Sequence, residues 1–147
     1  MTNGVKNIVI IAGTLGQGGA ERQLFYITSA FQNLGCRVRV ISFSSGEYYD
    51  VKLKDNGVEV VSLRATGRLG RLRELHGLLK NDRPDALMSM HFYTNLYAVL
   101  VGRALGIKAL GSIRNDCISE VEILGMLGRM SLKWPALVAA NSRLGFN

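Results

Sequence analysis

Short apolar runs alternate with helical stretches along the chain, and this alternation restricts the possible folds more than any other feature. The predicted strands are residues 7–13, 37–43, 58–63, 85–90, 107–113 and 136–140. Helical periodicity predicts helices over residues 20–34, 50–56, 94–105 and 119–132, and a further one within 64–83. Strands that alternate with helices pair in parallel, because each helix carries the chain back to the same edge of the sheet. The pattern therefore predicts a single α/β domain with a doubly wound, Rossmann-like parallel sheet.

Length and composition agree with one globular domain. The chain has 147 residues, of which 48% are hydrophobic and 20% charged, so it can bury a real core and is not of the disordered class. Its apolar runs are far shorter than the roughly 20 residues that span a bilayer, and its first residues do not resemble a signal peptide. Cys36 and Cys117 are too few for a disulfide framework or a metal site. We therefore expect a cytoplasmic protein.

A glycine-rich loop, residues 13–19, joins the first predicted strand to the first predicted helix. Backbone N–H groups at a helix start can face an anion, and Gly18 and Gly19 would let a ligand approach that backbone closely. A dinucleotide fingerprint fails, because Glu21 stands where its third glycine belongs. A P-loop fails as well, because Gly19 and Ala20 stand where Lys and Ser or Thr are required. The loop predicts an anion site of another kind, or only a tight strand-to-helix turn.

The predicted sheet brings further polar residues to the edge where this loop lies. Ligands of such folds collect beyond the carboxyl ends of the strands, where the strand order reverses between the first and fourth strands. His91 follows the fourth strand, and Arg114 and Asn115 follow the fifth. Together with Gly18 and Gly19, these residues are candidates for binding a phosphorylated, hydroxyl-rich substrate.

Each of these side chains has a simpler interpretation that the sequence leaves open. His91 could end a strand with its ring hydrogen-bonded, and Arg114 could pair with an acid such as Asp116. Glu21 and Arg22 could be capping and surface residues of the first helical turn.

The positive charge of the chain is concentrated in one segment. The formal net charge is +7, and residues 64–83 hold many of the basic side chains. Leucines recur at helical spacing in the same segment, so we expect an amphipathic helix with a basic outer face. Arg68, Arg71 and Arg73 are candidates for contact with an anionic membrane surface, although a solvated helix face is the more common explanation of such a charge run. Nucleic acid is not an expected partner, because no aromatic residues interleave with the basic ones.

Several segments, in the same order, resemble glycosyltransferase family 4. Residues 18–22, Gly-Gly-Ala-Glu-Arg, are similar to the family signature that opens the first helix. Residues 34–40 resemble its Leu-Gly-His-x-Val-x-Val entry to the second strand, and residues 83–91 resemble its Arg-Pro-Asp to His segment. Residues 135–142 are similar to the segment in which the sixth strand ends in Asn-Ser.

The resemblance implies the amino-terminal, acceptor-side half of a two-domain GT-B enzyme. Such an enzyme would transfer a sugar, with retention, from a nucleoside-diphosphate donor to a glycan or lipid-linked sugar, without a metal or other cofactor. By this resemblance residues 1–147 form a truncated first domain whose partner, a carboxy-terminal nucleotide-sugar domain with a Glu-x7-Glu motif, is absent. Peripheral association with the inner membrane face is also implied. The resemblance identifies no catalytic residue, and Arg114 stands where many relatives carry His.

One alternative of another class remains at this point. The basic helix could belong to a non-catalytic module that binds anions or a membrane surface.

Overall fold

The computed structural model describes residues 4–113 and 125–140, and their strands form one parallel sheet. The strand order is β3-β2-β1-β4-β5-β6, and every neighbouring pair is parallel. The strands are β1 Asn7–Ala12, β2 Arg37–Ser42, β3 Glu59–Ser62, β4 Ala86–Ser89, β5 Lys108–Ile113 and β6 Leu137–Ala140. This order confirms the predicted doubly wound Rossmann-like fold, and it reverses between β1 and β4 as expected.

Helices cover both faces of this sheet. They are α1 Gly19–Asn33, α2 Tyr48–Asp55, α3 Arg68–Asn81, α4 Phe92–Leu105 and α5 Met126–Lys133. Gly106 ends α4 in the left-handed conformation, φ 66°, as its position after the apolar run predicts. The helix predicted over 119–132 lies partly outside the described residues, and its described part runs from Met126 to Lys133.

The central strand β1 shows how the two cores are divided. Ile8 and Ile10 pack with residues of α1 and α2 on one face, whereas Val9 and Ile11 pack with residues of α3 and α4 on the other. All of these side chains are buried, because successive residues of a strand point to opposite faces and both faces are covered by helices.

The Arg83-Pro84-Asp85 motif lies at the amino-terminal edge of the sheet, away from the predicted site. The Asp85 carboxylate accepts hydrogen bonds from the N–H groups of Lys6 and Asn7, both at 2.8 Å, and these bonds lower the pKa of Asp85. The Arg83 guanidinium donates to the carbonyl of Leu105 at the end of α4. This motif therefore ties strand and helix ends together and does not contribute to the carboxyl edge.

Asn95 of α4 continues the pairing of β5 where β4 has ended. The β4–β5 ladder reaches Leu110, and beyond it the side-chain amide of Asn95 takes over. Its Nδ2 donates to the carbonyl of Ser112 at 3.0 Å, and its Oδ1 accepts the N–H of Ser112 at 2.9 Å. Asn95 is fully buried, so these two bonds hold the start of α4 against the carboxyl end of β5.

We expect the substitution Asn95→Ala to lower the free energy of unfolding by about 2–4 kcal/mol, because the amide and carbonyl of Ser112 lose their partners in a buried place. Urea denaturation followed by circular dichroism measures the loss. Asn81→Ala, at the exposed end of α3, is the control and should change stability by less than about 0.5 kcal/mol. Equal effects of the two substitutions would contradict this role of Asn95.

Candidate functional site

His91 connects the glycine-rich loop to the first turns of α1 and α4. It lies between the end of β4 and the start of α4, and its side chain is 13% exposed. Its Nδ1 accepts the N–H of Gly13 at 3.1 Å, and its Nε2 lies 3.0 Å from Oε1 of Glu21. Because Nδ1 is an acceptor, the ring proton is on Nε2, which donates to the Glu21 carboxylate. The predicted neighbourhood of His91 and the loop is therefore present, and so is the simpler prediction that its ring is hydrogen-bonded within the fold.

The interpretation of Glu21 as a surface or capping residue is wrong. Glu21 is 6% exposed, and its carboxylate points inward to His91. It lies on the same helical face as the buried residues Leu24 and Thr28, at spacings of three and seven. That spacing is the signal in the sequence that could have revealed its burial. Arg22, the next residue, is exposed.

Contacts inside the protein explain two of the loop glycines and leave a third unexplained. A Cβ on Gly13 would lie 1.6 Å from Oη of Tyr93, and a Cβ on Gly18 would lie 2.2 Å from Oε2 of Glu21. A Cβ on Gly19 would meet no atom of the described residues within 4 Å. None of the three has a positive φ. Close packing against Tyr93 and Glu21 therefore accounts for Gly13 and Gly18, whereas the space in front of Gly19 is open.

The ring of Tyr93 packs against the start of the glycine-rich loop. No sequence motif pointed to Tyr93 as a site residue. Its ring stacks on His91 with centroids 5.5 Å apart and reaches the backbone of Gly13. Burial of the phenol, followed by the negative charge of Glu21, raises the pKa of Tyr93. The hydroxyl is thus neutral and can donate a hydrogen bond at this edge.

Glu47 anchors the first part of the loop, next to Gly13, and no sequence motif pointed to it. Its carboxylate accepts hydrogen bonds from Thr14 Oγ1, at 2.9 and 3.0 Å, and from the N–H of Leu15 and the hydroxyl of Ser44. Desolvation raises the pKa of Glu47, but these hydrogen bonds outweigh it, so the pKa lies below its ordinary value. Together with His91, Glu47 therefore holds the beginning of the loop, residues 13–15, in place.

An open groove of about 480 Å³ lies against the start of α1. Its lining includes Gly18, Gly19, Arg22 and the ring of Tyr48. No side chain caps the N-terminus of α1, because Gly18 occupies the N-cap position. Within residues 4–113 and 125–140, the Arg22 side chain has no ion-pair or hydrogen-bond partner. Backbone donors and a cation thus meet in one groove, which is the chemistry that binds phosphate.

The three basic residues proposed for a membrane surface differ in their surroundings. Arg68 and Arg71 line a cavity bounded by α3, α4 and α5, whereas Arg73 lines an adjoining depression that shares Leu72 and Leu100 with this cavity. Arg71 is half-buried: its guanidinium lies 4.8 Å from the ring centre of Phe43 and its Nε donates to the carbonyl of Ala65. An aromatic ring near the end of β2 thus attracts the Arg71 guanidinium, and contact of the three arginines with a membrane surface stays a prediction.

Two of the predicted site residues, Arg114 and Asn115, lie outside the described residues, so their placement at this edge stays a prediction. In the part of the chain that is described, no cluster of His, Cys, Asp or Glu could hold a metal ion. No helix within that part is long and apolar enough to cross a bilayer.

We expect the substitution Glu47→Gln to destabilise the protein by about 1–2 kcal/mol at pH 7, because charge-assisted hydrogen bonds to the loop are weakened. The pKa of Glu47 is lower in the folded than in the unfolded chain, where it is about 4.3. Its contribution is thus complete above that pH and is lost as the pH falls through the folded value. The stability gap between wild type and Glu47→Gln should narrow as the pH falls below the unfolded pKa of Glu47.

Urea denaturation at several pH values measures this gap. Asp55→Asn is the matched control, because its exposed carboxylate has no partner among the described residues. A gap for Glu47→Gln that is independent of pH would contradict the role of the carboxylate.

Comparison with known proteins identifies a relative of this chain and solved structures that share its fold. The chain is 30% identical over 120 residues to the amylovoran biosynthesis glycosyltransferase AmsD of Erwinia amylovora. The aligned region covers 80% of this chain and 32% of AmsD. It superposes on Anabaena HepE in complex with UDP-glucose with a TM-score of 0.76 at 16% identity, covering 95% of this chain and 38% of HepE. Acinetobacter baumannii MurG gives a TM-score of 0.69 at 18% identity, covering 92% of this chain and 41% of MurG.

The chain thus spans about a third of the curated relative and about two fifths of the solved structures. Residues 18–144 match the family described as the glycosyl transferase 4-like domain, and this match begins at the Gly18–Gly19 pair. The chain belongs to the glycosyl transferase 4-like family.

Proposed function

We propose that this chain is the acceptor-side, amino-terminal domain of a retaining glycosyltransferase. The enzyme would move a sugar from a nucleoside-diphosphate donor to a hydroxyl of a glycan or lipid-linked sugar. Membership of the family supports glycosyl transfer, and the complex of HepE with UDP-glucose supports a nucleotide-sugar donor. The share of each relative that the chain spans supports a cleft completed by a second domain. We further propose that it acts in the cytoplasm and needs no bound metal.

The open space in front of Gly19 is the observation that carries this proposal. The close approaches at Gly13 and Gly18 are explained by contacts inside the protein, whereas a side chain at Gly19 would project into the groove. In sugar transfer, negative charge builds on the departing diphosphate while positive charge builds on the sugar ring. Backbone N–H groups held in place before the reaction stabilise that charge without having to reorganise. The start of α1 and Arg22 are placed to do so.

We assign Glu21 and His91 to positioning. Both ring nitrogens of His91 are already bonded, to Gly13 and to Glu21, so a hydrogen bond from the ring to an acceptor would require one of these contacts to break. The pair instead holds the loop against α4. Arg114 and Asn115 remain proposed substrate contacts from the sequence alone.

The alternative of a membrane-surface module has less support. It needs Arg68, Arg71 and Arg73 to act on one surface, yet the Arg71 guanidinium already contacts the ring of Phe43 and the carbonyl of Ala65.

In the full-length protein, we expect Gly19→Val to reduce turnover about 100-fold, because the valine side chain blocks access to the first N–H groups of α1. Circular dichroism should be unchanged, since the added atoms meet open space. Gly77→Val is the matched control: Gly77 is exposed on α3, and a Cβ there also meets no atom within 4 Å. Normal activity of Gly19→Val would contradict the role of the loop.

We also expect the 147-residue chain alone to transfer no sugar, because the proposed donor-binding half of the cleft belongs to a second domain. The measurement is release of nucleoside diphosphate from a panel of UDP-, GDP- and ADP-sugars in the presence of acceptors. Turnover by the chain alone would show that the donor site is within these residues and would overturn the acceptor-side assignment.

A further inference from the structure

A second cavity opens on the other face of the sheet, bounded by α3, α4 and α5. Its volume is about 370 Å³, within the range of small-molecule sites. Leu72 of α3, Leu96 and Leu100 of α4 and Leu127 of α5 contribute aliphatic side chains to its wall. These side chains are only partly buried, so residues 4–113 and 125–140 do not fill the space between them.

Two guanidinium groups stand at this apolar cavity without a carboxylate partner. In the described part of the chain, Arg68 makes no ion pair or hydrogen bond, and Arg71 contacts only a carbonyl and an aromatic ring. Glu74, the acid of the same helix, already accepts the N–H groups of Arg64 and Ala65. Unpaired cations beside an apolar cavity complement a molecule with an anionic head and a hydrocarbon chain.

Tyr93 connects this cavity to the carboxyl edge of the sheet. It contributes to the cavity wall, while its ring covers Gly13 and stacks on His91. A ligand whose anionic head lies at Arg68 and Arg71 would therefore present whatever is attached to that head near the loop.

We propose that this cavity binds the first part of the hydrocarbon chain of a lipid-linked acceptor, with the lipid phosphate at Arg68 and Arg71. The assignment of this ligand as the acceptor rests on the proposed function, whereas the binding itself does not. A membrane surface would instead contact the exposed arginines of α3 together, including Arg73, and would not need a cavity.

Isothermal titration calorimetry of the chain with decyl phosphate, below its micelle concentration, tests the proposal. We expect saturable binding with one molecule per chain, weaker binding of decanol, and no saturable binding of inorganic phosphate. Leu96→Trp, which fills the cavity, should weaken decyl phosphate binding more than about tenfold. Leu127→Glu places a negative charge in the wall from another helix and should weaken it similarly, so the test does not depend on one substitution. Circular dichroism confirms that each variant is folded.

Arg68→Gln should weaken decyl phosphate binding roughly fivefold and reduce its advantage over decanol. Arg73→Gln, on the same helix but outside this cavity, is the matched control and should have no effect. The proposal is overturned if decyl phosphate does not bind, or if Arg73→Gln weakens binding as much as Arg68→Gln. It is also overturned if inorganic phosphate binds equally well, which would indicate a plain anion site.

Sedimentation with vesicles of phosphatidylglycerol and phosphatidylcholine separates the cavity from a membrane surface. Vesicle binding that Leu96→Trp leaves unchanged, without decyl phosphate binding, would favour the surface and overturn the cavity. The proposed function fails separately: a full-length protein that binds decyl phosphate but transfers no sugar would contradict glycosyl transfer and leave the cavity assignment intact. Sugar transfer to a soluble glycan, with no decyl phosphate binding, would overturn only the cavity.

Discussion

The buried contact between Glu21 and His91 is the interaction on which the arrangement of the carboxyl edge depends. It joins the first turn of α1 to the residue before α4, across the point where the strand order reverses. Because His91 also accepts the N–H of Gly13, the same imidazole determines where the loop begins and where α1 starts. A buried polar network of this kind is stable only when every member is satisfied, and here each ring nitrogen has its partner. The open backbone at Gly19 is thus presented by a rigid frame.

Much of the fold could be predicted because its signals are local. Alternating strands and helices predict the parallel sheet, and the strand order then places the loop beside His91. The side-chain contacts could not be predicted in the same way, since Glu21 and His91 are 70 positions apart and Thr14 and Glu47 are 33 apart. Arg71 illustrates the same limit: helical periodicity describes its own helix, whereas Phe43, which draws it inward, belongs to another part of the chain.

The charged side chains Arg83 and Asp85 at one edge of the sheet, and Arg22 and Arg68 at the other, have different surroundings. At the amino-terminal edge, Asp85 and Arg83 bond to backbone groups of strand and helix ends, and their charges are used within the fold. At the carboxyl edge, Arg22 and Arg68 have no partner among the described residues and face open cavities. An arginine at the amino-terminal edge, such as Arg83, is thus bonded within the fold, whereas Arg22 and Arg68 at the carboxyl edge face open cavities. A motif such as Arg83-Pro84-Asp85 can mark a family without touching a substrate.

The close approach of Tyr93 to Gly13 makes the two faces of the domain interdependent. Only a residue without a Cβ leaves room for this ring, and the ring is at the same time part of the wall of the cavity between α3, α4 and α5. A larger side chain at position 13 would displace the Tyr93 phenol. It would therefore change the shape of the cavity between α3, α4 and α5, although Gly13 does not line that cavity. Under the proposed assignments, a change in the loop that meets the donor would therefore also alter the cavity that meets the acceptor, because both depend on the ring of Tyr93.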